Sequence, residues 1–211
     1  MAASAYPHGT ITGLILAGGR SSRMGGNDKA GLMLEGQTLV ARACRQLMAQ
    51  CGCLLISANN ALMGVIPDIP VIADGDDQFS GPIAGILAAM EWSVVNKPGT
   101  EWLLTSAVDC PFLPHDLGQC LWQSLETGKF LALAQSGGRT HFVCGLWHIS
   151  LRATLRELLA VRKIRRAETI ADHCGHSCAS WPVEPVDPFF NVNTPDDLAR
   201  AQMLLQRFPG R

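Results

Sequence analysis

The sequence predicts one α/β domain over residues 1–211, built on a doubly wound, mostly parallel β-sheet flanked by helices. Short apolar segments alternate with segments of helical spacing along the chain, and the connections between them are short. No internal repeat, low-complexity tract or linker interrupts this alternation. The length suits one domain with a sizeable core.

The predicted strands are short apolar runs, and the predicted helices carry apolar residues on one face. The predicted strands cover 10–16, 53–58, 71–73, 102–108, 130–134, 141–147 and 189–192. The predicted helices cover 38–50 with Thr38 as N-cap, 83–95 after Gly81-Pro82, 114–127, 151–161, and a last helix capped by Thr194, Pro195, Asp196 and Asp197.

Composition excludes several classes of protein. The formal net charge of −1 argues against a protein that wraps nucleic acid, which needs a basic surplus. No segment approaches the ~18 consecutive apolar residues of a membrane span, and residues 1–9 lack the features of a signal peptide. We therefore expect a cytoplasmic monomer without nucleic-acid or membrane partners.

The eight cysteines are expected to be free thiols, because several lie in apolar periodic segments typical of proteins from reducing compartments. Residues 173–178 contain four potential zinc ligands. Structural zinc sites usually pair two such clusters, and no second one lies nearby. A surface loop before a strand is the predicted structure of this segment.

Three polar sites fall at the ends of predicted strands: the loop 17–29, Asp74 and Asp109. Doubly wound sheets bind ligands at the carboxyl ends of their strands. The sequence therefore predicts a ligand site at this edge of the sheet. The competing interpretations are a helix N-cap for Asp109 and a turn or cap carboxylate for Asp74.

The loop after the first strand is rich in glycine and also contains cations. Glycines let backbone amides approach a polyphosphate, and Arg23 and Lys29 supply positive charge. A P-loop is excluded because Lys29 lies between Asp28 and Ala30 instead of between glycine and serine or threonine. The spacing of the dinucleotide fingerprint is also absent. A phosphate-binding loop is predicted, with an ordinary flexible βα loop as the alternative.

This loop resembles the signature of nucleotide-activating pyrophosphorylases with a Rossmann-like fold, through 16–19, 22–25 and Asp28-Lys29. Its ending, 25–29, is most similar to the molybdenum cofactor guanylyltransferases. The similarity continues in the family's order through Asp74, Gly81-Pro82, Asp109, His141 and 191–195, so it covers nearly the whole chain.

The resemblance implies an enzyme that transfers GMP from GTP to the phosphate of molybdopterin and releases pyrophosphate, with Mg²⁺ or Mn²⁺ as cofactor. The implied nucleotide contacts are Leu16, Ala17, Gly18, Gly19, Lys29, Ser57, Asp74 and Asp109. The implied catalytic residues are Arg23, Lys29 and Asp109, and Asp109 is the implied metal ligand.

The resemblance also implies a pterin side formed by His141, Asn191 and Asn193. On a strand, the two asparagines would point the same way, and the alternative is a turn and cap before the last helix. Two positions depart from the family pattern. Ser57 replaces an asparagine, with Asn59 as a candidate substitute, and Phe142 replaces the proline that follows the histidine.

The resemblance divides the domain into a nucleotide-binding half, 10–115, and a pterin-side half, 116–208. The basic cluster of Arg162, Lys163, Arg165 and Arg166 is a candidate site for the pterin phosphate or for transient contact with a cofactor-insertion protein or molybdoenzyme chaperone. A solvated helix end is the alternative. The rival functions are a cytidylyltransferase or other nucleotidyltransferase, and a non-catalytic carrier of nucleotide or molybdopterin.

Overall fold

The structure is a computed structural model that describes residues 5–18, 29–58, 66–73 and 81–209. Gly19, Arg23 and Asp74, three of the predicted site residues, lie outside the described residues, as does Asn59.

One sheet runs through both halves of the chain. Its strands are β1 (Ile11–Leu16), β4 (Cys53–Ser57), β5 (Val71–Ile72), β6 (Trp102–Ala107), β7 (Leu131–Ser136), β8 (Arg139–His148) and β9 (Ser177–Trp181). They are ordered β5-β4-β1-β6-β8-β7-β9, and β8 alone among these seven runs antiparallel to its neighbours. The predicted mostly parallel sheet is confirmed.

The described helices are α1 (Leu39–Met48), α2 (Pro82–Asn96), α3 (Leu117–Ser124), α4 (Arg152–Arg156), α5 (Ala167–Cys174) and α6 (Pro195–Arg207). A π-helical turn, Glu157–Val161, continues α4. Three predicted helix starts are confirmed. Thr38 Oγ1 accepts a hydrogen bond from the Ala41 amide at 3.2 Å. Pro82 follows Gly81 in the first turn of α2. Thr194 is the N-cap of α6.

The helices cover both faces of the sheet, as doubly wound folds require. Residues of α1, α3 and α6 pack in one hydrophobic core and residues of α2, α4 and α5 in the other. The interior strand β1 contributes to both cores: Ile11 and Ile15 belong to the first core, and Leu14 and Leu16 to the second. Burial on both faces explains why β1 is apolar without alternation.

Close packing makes Gly13 of β1 sensitive to substitution. A Cβ added there would lie 2.7 Å from Cys51 Sγ and 2.8 Å from Leu54 Cδ1. We expect Gly13→Ala to lower the free energy of unfolding by about 1–3 kcal/mol, the usual cost of overpacking a core, as measured by urea denaturation. Gly9→Ala is the control, because a Cβ there meets nothing within 4 Å. Equal stability of the two variants would contradict the expectation.

The predicted strand over 189–192 is wrong. These residues form an irregular connection that leads into α6. Phe189 and Val192 are buried in the first core, which explains their apolar character. The backbone instead bonds to the loop after β6, where the Val192 amide donates to Asp109 O at 2.9 Å.

Three local structures, α5, β9 and a β-hairpin, were not among the predicted elements. Residues 167–174 form α5, so His173 and Cys174 are helical rather than part of a surface loop; Gly175, with φ of +66°, ends the helix and β9 follows at Ser177. A hairpin of β2 (Met33–Leu34) and β3 (Gln37–Thr38) precedes α1. These elements are too short to show a clear hydrophobic period.

All eight cysteines are free thiols. Within the described ranges, the chain contains no helix that is both long enough and apolar enough to cross a membrane.

Candidate active site

The carboxyl ends of β4, β1 and β6 lie side by side. Leu16 pairs with Ser57 on one side and with Ala107 on the other. The Ala17 amide donates to Ser57 O at 2.8 Å. Asp109 follows β6 after one residue. The predicted residues Leu16, Ala17, Ser57 and Asp109 therefore share one edge of the sheet, and Gly18 continues from it.

Lys29 joins this edge to the distant segment before α6. Its Nζ donates to Asp109 Oδ2 at 2.9 Å and to Asn193 Oδ1 at 2.6 Å. The side chains of Lys29 and Asp109 are only 22% and 16% exposed, so water screens this ion pair less than a surface pair. Three predicted site residues thus meet directly, although 80 and 164 residues separate Lys29 from its two partners.

Two anchors place Asn193. Thr194 and Asp197 form a capping box at the start of α6, and Asp197 Oδ2 also accepts from the Asn193 amide at 3.0 Å. Hydrogen bonding with the Thr194 side chain and the backbone amides lowers the pKa of Asp197, so it stays a charged acceptor at neutral pH. The predicted alternative of a turn and cap is therefore confirmed for the backbone, while the Asn193 side chain reaches Lys29.

Asn191 also reaches the loop after β6, but it does so through a cysteine. Cys110 Sγ donates to Asn191 Oδ1 at 2.9 Å. A hydrogen bond with the Cys144 side chain and complete burial raise the pKa of Cys110 well above its usual value. The thiol therefore keeps its proton at neutral pH and remains a donor.

The N-cap interpretation of Asp109 is wrong. The next helix, α3, begins at Leu117, and its N-cap is Asp116. Asp109 instead offers a carboxylate and Asn193 an amide oxygen. These are hard donors of the kind that Mg²⁺ accepts alongside water and substrate phosphates. The donor chemistry at this edge fits a divalent metal.

His141 lies at the same edge, further along the sheet. The register between β7 and β8 passes from Leu133–Gly145 to Ala134–His141, which makes a bulge in β8. Bulges of this kind often re-aim side chains beside active sites. His141 Nε2 lies 2.8 Å from Ser136 Oγ. Burial lowers the pKa of His141, although the nearby Asp187 carboxylate opposes this effect.

Ser136 and Asp187 were not identified from the sequence. Ser136 Oγ donates to Asp187 Oδ1 at 2.8 Å. Ser136 could have been identified from the sequence, because it is a polar residue at the end of an apolar strand. It was missed because the predicted strand ended at Ala134. Asp187 lies between valine and proline in an irregular segment, and no local pattern marks it.

The basic cluster forms the turn between the π-helical turn and α5. Arg162 pairs with Glu157 at 2.8 Å, Arg165 Nη1 donates to Leu159 O at 2.8 Å, and Lys163 has φ of +57°. These local contacts are typical of a helix end.

Comparisons with known proteins identify the family of this chain. A family model, the MobA-like NTP transferase domain, matches residues 13–174. The molybdenum cofactor guanylyltransferase of Rhodopseudomonas palustris (strain HaA2) is 45% identical over 198 residues, which cover 93% of this chain and 92% of that protein. A relative of the same name from Nitrobacter hamburgensis is 43% identical over 198 residues, covering 91% of this chain and 93% of that protein.

Solved structures share the fold. The molybdopterin-guanine dinucleotide biosynthesis protein A of Archaeoglobus fulgidus matches with a TM-score of 0.73 at 22% identity, covering 93% of this chain and all of that one. A Mycobacterium tuberculosis protein crystallised with manganese matches with a TM-score of 0.65 at 16% identity, covering 92% of this chain and 98% of that one. The family match and the identity to relatives over most of the chain establish that this chain belongs to the MobA-like NTP transferase family.

Proposed function

We propose that this enzyme transfers GMP from GTP to the phosphate of molybdopterin, releasing pyrophosphate and forming molybdopterin guanine dinucleotide. The names of the relatives support this choice of substrates. The observation that carries the proposal is the meeting of Lys29, Asp109 and Asn193 at the carboxyl edge of the sheet. A lysine and a carboxylate in contact at this edge suit a magnesium nucleotide.

The reaction requires alignment and charge neutralisation more than covalent chemistry by the protein. The acceptor phosphate attacks the α-phosphorus of GTP, and negative charge develops on the leaving pyrophosphate. In this proposal the Lys29 ammonium neutralises phosphate charge. The Ala17 amide already donates a hydrogen bond to Ser57 O. We therefore propose that the phosphate is bound by the amide of Gly18 and by amides of the loop after it. Gly19, Arg23 and Asp74 keep their predicted roles in nucleotide binding and catalysis.

Asp109 is the proposed ligand of the divalent metal. We propose Mg²⁺ as the usual ion and Mn²⁺ as an effective substitute, since a fold relative was crystallised with manganese. When bound, the ion supplies Lewis-acid stabilisation of phosphate oxygens. Lys29 has a second acceptor in Asn193, which would keep Lys29 in place if Asp109 held the metal.

The pterin side of the proposal comprises His141, Asn191 and Asn193. The asparagine side chains bond to Cys110 and Lys29, which supports a role in shaping the site. His141 keeps its predicted contact with the pterin. Transient transfer to a cofactor-insertion protein or molybdoenzyme chaperone, the monomeric state and the cytoplasmic location also remain predictions.

A comparison of nucleotides tests the proposed function. We expect pyrophosphate release with molybdopterin as acceptor to be at least about a hundredfold faster with GTP than with CTP, ATP or UTP, because a site that hydrogen-bonds one base leaves polar groups unpaired with another. Omitting molybdopterin controls for hydrolysis of the nucleotide. Preference for CTP would identify a cytidylyltransferase, and GTP binding without pyrophosphate release would identify a carrier.

A further inference from the structure

Residues 187–193 carry Asn191 and Asn193 across Asp109 without forming a helix or strand. Burial of Phe189 and Val192 in the first core holds the middle of this segment, and its two ends are held by hydrogen bonds. The capping box of α6 holds the end at Asn193. At the other end, Asp187 Oδ1 accepts from Ser136 Oγ at 2.8 Å and from the Phe189 amide at 3.0 Å.

The single proton of the Ser136 hydroxyl fixes which groups donate and which accept in its two hydrogen bonds. A serine hydroxyl has one proton, and Ser136 Oγ donates it to Asp187. The 2.8 Å contact between Ser136 Oγ and His141 Nε2 must therefore use a proton on the imidazole nitrogen. The result is a chain of bonds from His141 through Ser136 to the Asp187 carboxylate.

A ring contact links the two ends of this hydrogen-bonded series. The His141 ring stacks on the Phe189 ring, with centroids 4.6 Å apart and planes at 27°. Phe189 is 3% exposed and Ser136 also 3% exposed, so water does not compete strongly for these contacts. Three contacts therefore join β7, β8 and the irregular segment: Ser136 with His141, Ser136 with Asp187, and His141 with Phe189. We call this group of contacts the Ser136 clasp.

We propose that Ser136 and His141 are positioning residues for nucleotidyl transfer and that they act through Asn193. The clasp fixes the start of 187–193, so that the Val192 amide meets Asp109 O and Asn193 Oδ1 meets Lys29 Nζ. Before the clasp, residues 182–185 are exposed and Val186 is buried in the first core, so the clasp adds hydrogen bonds to an apolar anchor. This inference rests on the proposed function for its kinetic test but not for its structural test.

The structural test measures hydrogen exchange of the Val192 amide by mass spectrometry. Ser136→Ala removes both hydrogen bonds of the hydroxyl, and we expect exchange at Val192 to accelerate at least about tenfold, because local opening becomes easier. Ser180→Ala is the matched control, since Ser180 Oγ donates to Gln135 Oε1 in an exposed pair on the neighbouring strand. Unchanged exchange in Ser136→Ala would overturn the proposal even if the enzyme used another nucleotide.

The kinetic test compares kcat with the KM for GTP. We expect Ser136→Ala to lower kcat about 10–100-fold with KM within about threefold, because a misplaced group mainly costs alignment. Asp187→Asn keeps the accepting oxygen and should stay near wild type, whereas Asp187→Ala should match Ser136→Ala. If Ser136→Ala does not fold, the comparison of Asp187→Ala with Asp187→Asn still tests the same hydrogen bond. Equal kcat values for Asp187→Ala and Asp187→Asn would overturn the proposal.

A double-mutant cycle distinguishes positioning from a general loss of stability. If Ser136 acts through Asn193, the double variant should have a kcat less than about threefold below that of Asn193→Ala alone. The contact through which Ser136 acts is already absent in Asn193→Ala. Independent effects would multiply, and that result would overturn the route through Asn193. If wild-type enzyme transferred no GMP, the proposed function would fail while the exchange measurement would still test the clasp.

Discussion

Lys29→Ala should lower the rate of GMP transfer by about a thousandfold or more. Lys29 is the cation in direct contact with both Asp109 and Asn193, and its loss removes charge where the transition state needs it. Removing one well-placed stabilising group typically costs about 10²–10³ in kcat, and the loss of the ion pair misplaces Asp109 as well. The measurement is pyrophosphate release under saturating GTP, Mg²⁺ and molybdopterin.

The matched control for this variant is Lys97→Ala. Lys97 is an exposed lysine at the end of α2, away from the carboxyl edge, and its variant should retain wild-type activity. Circular dichroism checks that Lys29→Ala is folded. Activity within tenfold of wild type would remove Lys29 from the proposed mechanism.

Asp109→Asn should abolish metal-supported transfer almost as completely, with a loss of about 10²–10³. The amide keeps the size of the side chain and an oxygen that can accept from Lys29 Nζ, so the hydrogen-bond geometry is largely preserved. What disappears is the negative charge that would hold a hard cation in the proposed mechanism. The measurement is the initial rate as a function of Mg²⁺ and, separately, of Mn²⁺ concentration.

Asp172→Asn provides the control, because Asp172 is an exposed carboxylate on α5. It should leave both the rate and the metal dependence unchanged. Full recovery of Asp109→Asn at high Mg²⁺ would contradict direct ligation by Asp109 and indicate a role through bound water instead.

Local signals made much of this fold predictable. The apolar run of β1, the Thr38 cap and the Thr194 cap each act within a few residues, so the sequence shows them directly. The apolar residues at 189–192 misled the prediction because burial alone does not specify a strand. Phe189 and Val192 fill the core while their backbone bonds elsewhere.

The common location of the predicted site residues was predictable, but their contacts were not. Lys29 ends the glycine-rich loop that follows β1, and Asp109 follows β6, so a shared edge is expected from the topology of a parallel sheet. Asn193 reaches Lys29 across 164 residues, a contact that no local pattern encodes. Ser136 and Asp187, 51 residues apart, escaped notice for the same reason.

The long separation between Lys29 and Asn193 also orders events at the ribosome. Translation delivers Lys29 and Asp109 well before the segment that holds Asn193, and domains acquire native packing only when their elements are available. A growing polypeptide that stops short of Asn193 lacks one of the two side chains that accept a hydrogen bond from Lys29. Catalytic competence should therefore arise late in synthesis, after the last helix has emerged and docked.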